Sequence, residues 1–452
     1  MPPPPLVMQT TYAELLERCS SAAFTNSFPQ EGAFTSKEVK GRRYWYFQLP
    51  SSKGRAQKYV GPETPELLER IAHHKDARDD ERERRALVST LIRSFGLPQP
   101  IREIGDIIAA LSKAGVFRLR GVLVGTTAYQ TYSAILGVKL PNPTLQTGDI
   151  DIAQFKNVSV AIEDRTPPVL DVLKEVDKTF HPVPHTGGEE YVTTYVAKNG
   201  LRVDFLTPNE GPDTDVPQPL PAFQTNAQPL RFLDYLIYES QPAVILHDAG
   251  IYVHVPAPER YAVHKLIVAR RRREGAAKRD KDLQQAEALL AALAQKRPYE
   301  LKSAWAEAIQ RGPTWRQLIL QGMSQLGSQS RDSVLKAIGE RRSLLPELDL
   351  AFNNPPPNYD FSRDIVTFSG QAFGQPVQCA ISREALDDHF GADGLDQKGK
   401  VEKFLEKRST VEDMARTKYL SWPIEEPEQV LIRTKEVPKL LKESEKSTSH
   451  TV

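Results

Sequence analysis

The chain has 452 residues and carries Lys+Arg 59 against Asp+Glu 58, a net charge of +1, so attraction to a polyanion has to come from local patches rather than a global field. At roughly 100–200 residues per domain, this length implies two or three units. No apolar run of about 18 residues reads as a membrane span, the opening MPPPPLVMQT lacks the pattern of a secretion signal, and two isolated cysteines, Cys19 and Cys379, make neither a disulfide framework nor a zinc site; the expectation is a reducing cytoplasm and no membrane partner.

Residues 1–99 read as an N-terminal extension. Within it, residues 37–59 join an aromatic run to a Pro-Ser-Ser-Lys-Gly turn, the pattern of a β-hairpin. Lys37, Lys40, Arg42, Arg43, Lys53, Arg55 and Lys58 there face a single acid, Glu38, and are interleaved with Tyr44, Trp45, Tyr46 and Tyr59. Such a surface suits a nucleic-acid backbone with stacked bases; equally, it suits a solvated hairpin that packs its aromatics on the next domain. Residues 65–95 are charged and helical, with apolar positions at Leu67, Leu68, Ile71, Leu87, Leu91 and Ile92.

Residues 102–114 predict an amphipathic helix, 119–125 a buried strand, 127–136 a helix, 138–147 a Pro-rich loop and 149–153 a second strand. A helix near 168–178 and a hairpin over 190–208, turning on Asn199-Gly200, follow. Strands mixed with helices over residues 100–225 give an α+β (α/β-like) domain. Its continuation, 226–345, holds strands near 230–238, 243–246 and 251–255 and then helices from 258–273 and 279–295 onward. A small α+β domain over 350–432, with a hairpin at 364–382 and a helix beginning at Ser382, precedes a tail, 433–452, too polar to fold alone.

The chemistry-bearing residues sit in the first of these sheets. Residues two apart in a strand share a face, so Asp149 and Asp151 of GDIDI project together while Ile150 and Ile152 enter the core. Two carboxylates so placed suit a hard divalent cation, and Asp204 in LRVDFL has the same context and could supply a third. Upstream, a strand runs through Gly125 into a helix: glycine permits close backbone approach, the Thr126 and Thr127 hydroxyls can donate to phosphate, and a helix start favours an anion.

This order resembles the polymerase-beta-type nucleotidyltransferase superfamily over about residues 100–295. It is most similar to a bacterial branch reading Gly-Thr/Ser-x-Ala-Tyr and then Thr-x-Asp-Ile-Asp, here Gly125, Thr126, Ala128, Tyr129, Thr147, Asp149 and Asp151. The resemblance implies a mixed nucleotidyltransferase sheet with flanking helices. It also implies transfer of a nucleoside monophosphate from a nucleoside triphosphate such as ATP, with release of pyrophosphate. Mg²⁺ or Mn²⁺ would sit on Asp149, Asp151 and Asp204, and the acceptor hydroxyl or phosphate would belong to RNA or tRNA, a protein or a small molecule. The sequence departs from the superfamily pattern in having Thr126 where Ser or Gly is usual and in the loop at 140–146, which would lie over the pocket.

Residues 256–290 are similar to the helical segment of abortive-infection toxins and related nucleotidyltransferases, which implies that Lys265, Lys281 and Asp282 line the triphosphate. Two other readings share the fold: a non-catalytic regulator that binds nucleic acid or a partner, and a toxin of a toxin–antitoxin or phage-defence system. The C-terminal block resembles a small bacterial domain family of unknown function. Its Cys379 and His389 lack a third catalytic group, so Cys379 reads as a core thiol and the domain as a partner-binding one.

Overall fold

In the computed structural model the described residues are 6–28, 32–39, 41–48, 57–73, 81–141, 148–162, 164–185, 188, 191–271, 276–339, 350–353, 356–372, 375–421 and 429–448. The turn at 50–54, Lys40, Lys53, Arg55, most of the loop at 140–146, and Thr147 lie outside them. The chain divides into two units, Met1–Pro258 and Glu259–Val452.

The first unit opens with helix α1 (Leu6–Ser27), which the sequence reading does not anticipate. Met8, Tyr12, Leu15 and Cys19 recur at helical spacing and are buried against Val88, Leu91, Val244 and Leu246. An antiparallel sheet of β1 (Ala33–Val39), β2 (Arg42–Gln48) and β3 (Gln57–Pro62) follows. The predicted hairpin is therefore the β2–β3 half of a three-stranded meander. Its Phe47 is fully buried among Phe28 and Phe34, whereas Tyr44 and Tyr46, on the other face, are half-buried. The charged stretch that reads as one helix is described as α2 (Pro65–His73) and α3 (Glu81–Arg93).

The main sheet has the strand order β4 (Val122–Val124), β5 (Asp149–Ala153), β8 (Arg202–Pro208), β10 (Thr225–Leu230), β9 (Gln218–Leu220), with β6 (His181–Pro182) and β7 (Thr194–Val196) attached beside β8. It is mixed, since β4 runs antiparallel to β5, and β5 parallel to β8. Helices α4 (Arg102–Ala114), α5 (Gly125–Leu136), α6 (Lys156–Ala161) and α7 (Val169–Val176) accompany it. The register is held by the apolar face: Ile150, Ile152, Val203 and Phe205 are fully buried, each contributing about 1.5–3 kcal/mol of burial. A slip of one residue would turn all four to solvent.

The strand expected near 230–238 is a correction: residues Leu233–Ile237 form the short helix α8. Leu233, Leu236 and Ile237 are spaced three and four apart and all buried, which is helical periodicity. The next two expected strands are an antiparallel pair, β11 (Ser240–Ile245) and β12 (Ile251–Pro256).

The second unit begins with α9 (Pro258–Arg271), α10 (Ala276–Lys296), α11 (Pro298–Gln310), α12 (Pro313–Ser324) and α13 (Ser328–Ile338). Its sheet is ordered β13 (Asn358–Asp360), β14 (Ile365–Ala372), β15 (Gln375–Ser382), β16 (Gln429–Ile432), with α14 (Arg383–Phe390), α15 (Gln397–Glu406) and α16 (Arg408–Ser421). The Ser382 side chain caps α14 by accepting from the Ala385 N–H. The residues expected to be a disordered tail instead contain α17 (Val437–Thr448). Val437 and Leu440 enter the same core as Cys379 and Phe404, and Lys418 Nζ pairs with Glu436 at 2.7 Å just before it. The polar text conceals one apolar stripe, which suffices once a sheet is there to receive it.

Candidate active site

Strand pairing brings the three aspartates together. Asp151 is the register partner of Asp204 across the parallel β5–β8 pair, and Asp149 precedes Asp151 by two on the same strand. All three therefore occupy one face of adjacent strands, and each is half-buried, opposite fully buried apolar neighbours. On the other side of β5, Val124 is the register partner of Asp151, so the chain turns into α5 directly beside that carboxylate.

That turn is Gly125, at φ 68°, a left-handed conformation that glycine adopts without steric cost. A Cβ on Gly125 would collide with Asp151 Oδ2 and sit 3.2 Å from its Cγ. The N-cap residue Val124 makes no side-chain cap to α5, and a helix start is a backbone turn of the kind that receives anions. Thr126 is half-buried and Thr127 buried.

Two residues absent from the sequence reading close the site. Thr194 Oγ1 donates to Asp204 Oδ1 at 2.5 Å, and Arg202 Nε donates to Asp204 Oδ2 at 2.7 Å. Arg202 Nη2 also donates to Thr194 Oγ1 at 3.3 Å. The guanidinium is held more firmly protonated than usual, first by its hydrogen bond to Asp204 and then by the charges of Asp204, Asp149 and Asp151. Thr194 was legible in principle, since the Asn199-Gly200 turn puts it opposite Asp204, whereas Arg202, two before Asp204 on the same strand, carries no signal of its own.

The donor set suits a hard divalent cation: carboxylate oxygens on one face of two adjacent strands, with the Gly125 turn beside them. As the side chains stand, no three His, Cys, Asp or Glu groups converge closely enough to hold a metal ion among the described residues. Both Asp204 oxygens are engaged instead by Thr194 and Arg202.

Lys265, Lys281 and Asp282 belong to the second unit. Lys265 Nζ donates to Asp282 Oδ1 at 2.5 Å, a pair with side chains only 10% and 3% exposed, and Lys265 also lies 5.2 Å from the Tyr261 ring centroid. Lys281 is buried as well. Cys379 is fully buried, and burial pushes its thiol up to about 12. His389 Nε2 contacts Thr434 O at 3.0 Å, so neither residue is arranged as a nucleophile–base pair.

No helix among the described residues is long and apolar enough to cross a membrane. No curated protein and no solved structure matches the chain. Residues 102–310 match the family described as Nucleotidyltransferase, and residues 350–430 the family described as Protein of unknown function (DUF1488). The segment that carries Gly125, Asp149, Asp151 and Asp204 thus lies within the stretch that matches the nucleotidyltransferase family, and the stretch matching the second family follows it in the chain.

Proposed function

We propose that the protein is a metal-dependent nucleotidyltransferase that moves a nucleoside monophosphate from a nucleoside triphosphate to an acceptor hydroxyl or phosphate and releases pyrophosphate. The observation that carries this is the pairing of Asp151 with Asp204, with Asp149 on the same face and the Gly125 turn alongside. Asp149, Asp151 and Asp204 would hold Mg²⁺ or Mn²⁺, which when bound supplies a Lewis acid for the phosphoryl oxygens. Gly125, Thr126 and Thr127 seat the triphosphate through backbone N–H groups and hydroxyls. Asp204, freed from Arg202, takes the proton of the acceptor hydroxyl as its oxygen bonds to the α-phosphorus and the bond to pyrophosphate breaks. Arg202 then faces the site as a cation able to offset charge gathering on the leaving group.

The test is incubation of the purified chain with each α-phosphate-radiolabelled nucleoside triphosphate, Mg²⁺ or Mn²⁺, and total bacterial RNA and protein, beside an Asp149→Ala/Asp151→Ala control. Label transferred by the unaltered chain alone supports the reading and identifies the acceptor class. The Arg202 contact favours one rival, a regulator that uses the fold without turnover. Absence of transfer with every nucleotide, metal and acceptor, small hydroxyl compounds included, would select that rival.

A further inference from the structure

At the opposite end of β4 from Gly125, the first unit contains a cavity of about 1770 Å³ that the proposed chemistry does not use. Arg70, Lys113 and Arg120 line it, all exposed; among the described residues none is in a salt bridge, although Arg70 acts electrostatically on Glu66. His254 lines it too, with a buried Nδ1 that has no hydrogen-bond partner. Glu81, Asp106 and Asp248 also line it but are engaged by Arg85, Arg102 and His247, so the cations beside the unpaired imidazole nitrogen leave a place for an anion. Arg120 holds a left-handed backbone at φ 70°, a conformation that costs a residue other than glycine roughly 1–2 kcal/mol.

An aromatic surface adjoins this lining along the chain, since β3 runs from Tyr59 into Val60, Gly61 and Pro62, which line the cavity. Burial raises the pKa of the Tyr59 hydroxyl and the nearby Arg120 cation opposes it, with Tyr46 and Tyr44 acting more weakly on the same group. Tyr46 and Tyr59 are register partners with ring centroids 5.8 Å apart. Lys37 Nζ lies 4.7 Å from the Tyr46 centroid. Cations that follow a phosphate backbone beside rings that stack on bases are the two components of single-strand recognition.

We propose that this cavity and the tyrosine face beside it form an exosite for single-stranded RNA, with Arg70, Lys113 and Arg120 on phosphodiesters and Tyr44 and Tyr46 against bases. Four residues, Gly121 to Val124, separate Arg120 from the Gly125 turn, a span of up to roughly 16 Å, so a strand of several nucleotides is needed to occupy both places. That the bound strand is the acceptor of the transfer rests on the function proposed above; the binding itself does not.

The experiment is fluorescence anisotropy of labelled single-stranded RNAs of increasing length with the full chain, without nucleotide, across a salt series. An Arg70→Ala/Lys113→Ala/Arg120→Gly variant should lower the magnitude of the log affinity against log salt slope by about 2, near 0.7 for each phosphate no longer neutralised. A Tyr46→Leu variant, whose folding is checked by its melting temperature, should weaken binding about 5- to 150-fold with the slope unchanged. An unaltered slope in the triple variant would overturn the proposal. So would equal affinity for duplex, or displacement by inorganic phosphate with no dependence on RNA length, which would mark a small-phosphate site. The Asp149→Ala/Asp151→Ala chain should bind RNA as the unaltered chain does, so loss of transfer and loss of binding are read separately.

Discussion

Arg202 Nε and Asp204 Oδ2 lie 2.7 Å apart, two residues along one strand, so a guanidinium already neutralises the carboxylate that the proposed metal would need. The Arg202 side chain is 48% exposed, which screens the pair and keeps its contribution below that of a buried one. Arg202→Met should therefore tighten Mn²⁺ binding in the absence of nucleotide by about three- to tenfold, less than the full value of a charged hydrogen bond. Calorimetric titration of both proteins checks this. Identical Mn²⁺ affinities would mean that Arg202 does not compete with the cation.

Gly125 carries the second prediction. Its left-handed φ and the collision of a Cβ with Asp151 make alanine costly at this position twice over. Gly125→Ala should displace the Asp151 carboxylate and lower transfer by about 100-fold or more, as a misplacement near 1 Å does in a positioned site. Stability should fall by only about 1–2 kcal/mol. Comparing kcat with the melting temperature separates the two effects; a variant that retains kcat removes Asp151 from the proposed centre.

These positions also show what the sequence makes legible. Alternation in GDIDI and LRVDFL is enough to place Asp149, Asp151 and Asp204 on polar faces, because Ile150, Ile152, Val203 and Phe205 leave no other way to bury the strands. Pairing between β5 and β8 is not written in either segment, since parallel neighbours are joined through intervening structure. The Arg202 lock is hidden because a basic residue beside an acid is ordinary on a solvated strand. Helix α1 has the signal, Met8, Tyr12, Leu15 and Cys19 on one stripe, but a proline-rich opening masks it. Arg70, Arg120 and His254 come from distant segments, and no local pattern could join them.

Lys265 and Asp282 admit two roles, and they predict different outcomes. As a buried pair joining α9 to α10, they make Lys265→Met cost about 3–5 kcal/mol by removing the ammonium that donates to the buried Asp282 carboxylate, and Lys265→Met/Asp282→Leu should recover most of it. As triphosphate ligands, they make the double variant stable but several-fold weaker for nucleotide. Chemical denaturation and nucleotide titration of both variants decide between them, and undiminished nucleotide affinity in the double variant confines the pair to a structural role.

His254 gives a pH dependence. Burial, and then the charges of Arg120 and Arg70, lower its pKa from 6.5 to about 4, with Tyr252 in ring contact beside it on β12. Between those values the unfolded chain binds a proton that the folded chain refuses, so stability is complete above about 6.5 and is lost as pH falls toward 4. The loss is on the order of 3 kcal/mol if no other group compensates. A His254→Leu variant should lack this component, giving a flatter curve of unfolding free energy over that interval. RNA bound at Arg70 and Arg120 should raise the imidazole pKa by supplying the missing negative charge, so the unaltered chain with saturating RNA should move toward the flat curve. Parallel curves for the two proteins without RNA would show that His254 titrates normally and that the cavity does not act on it.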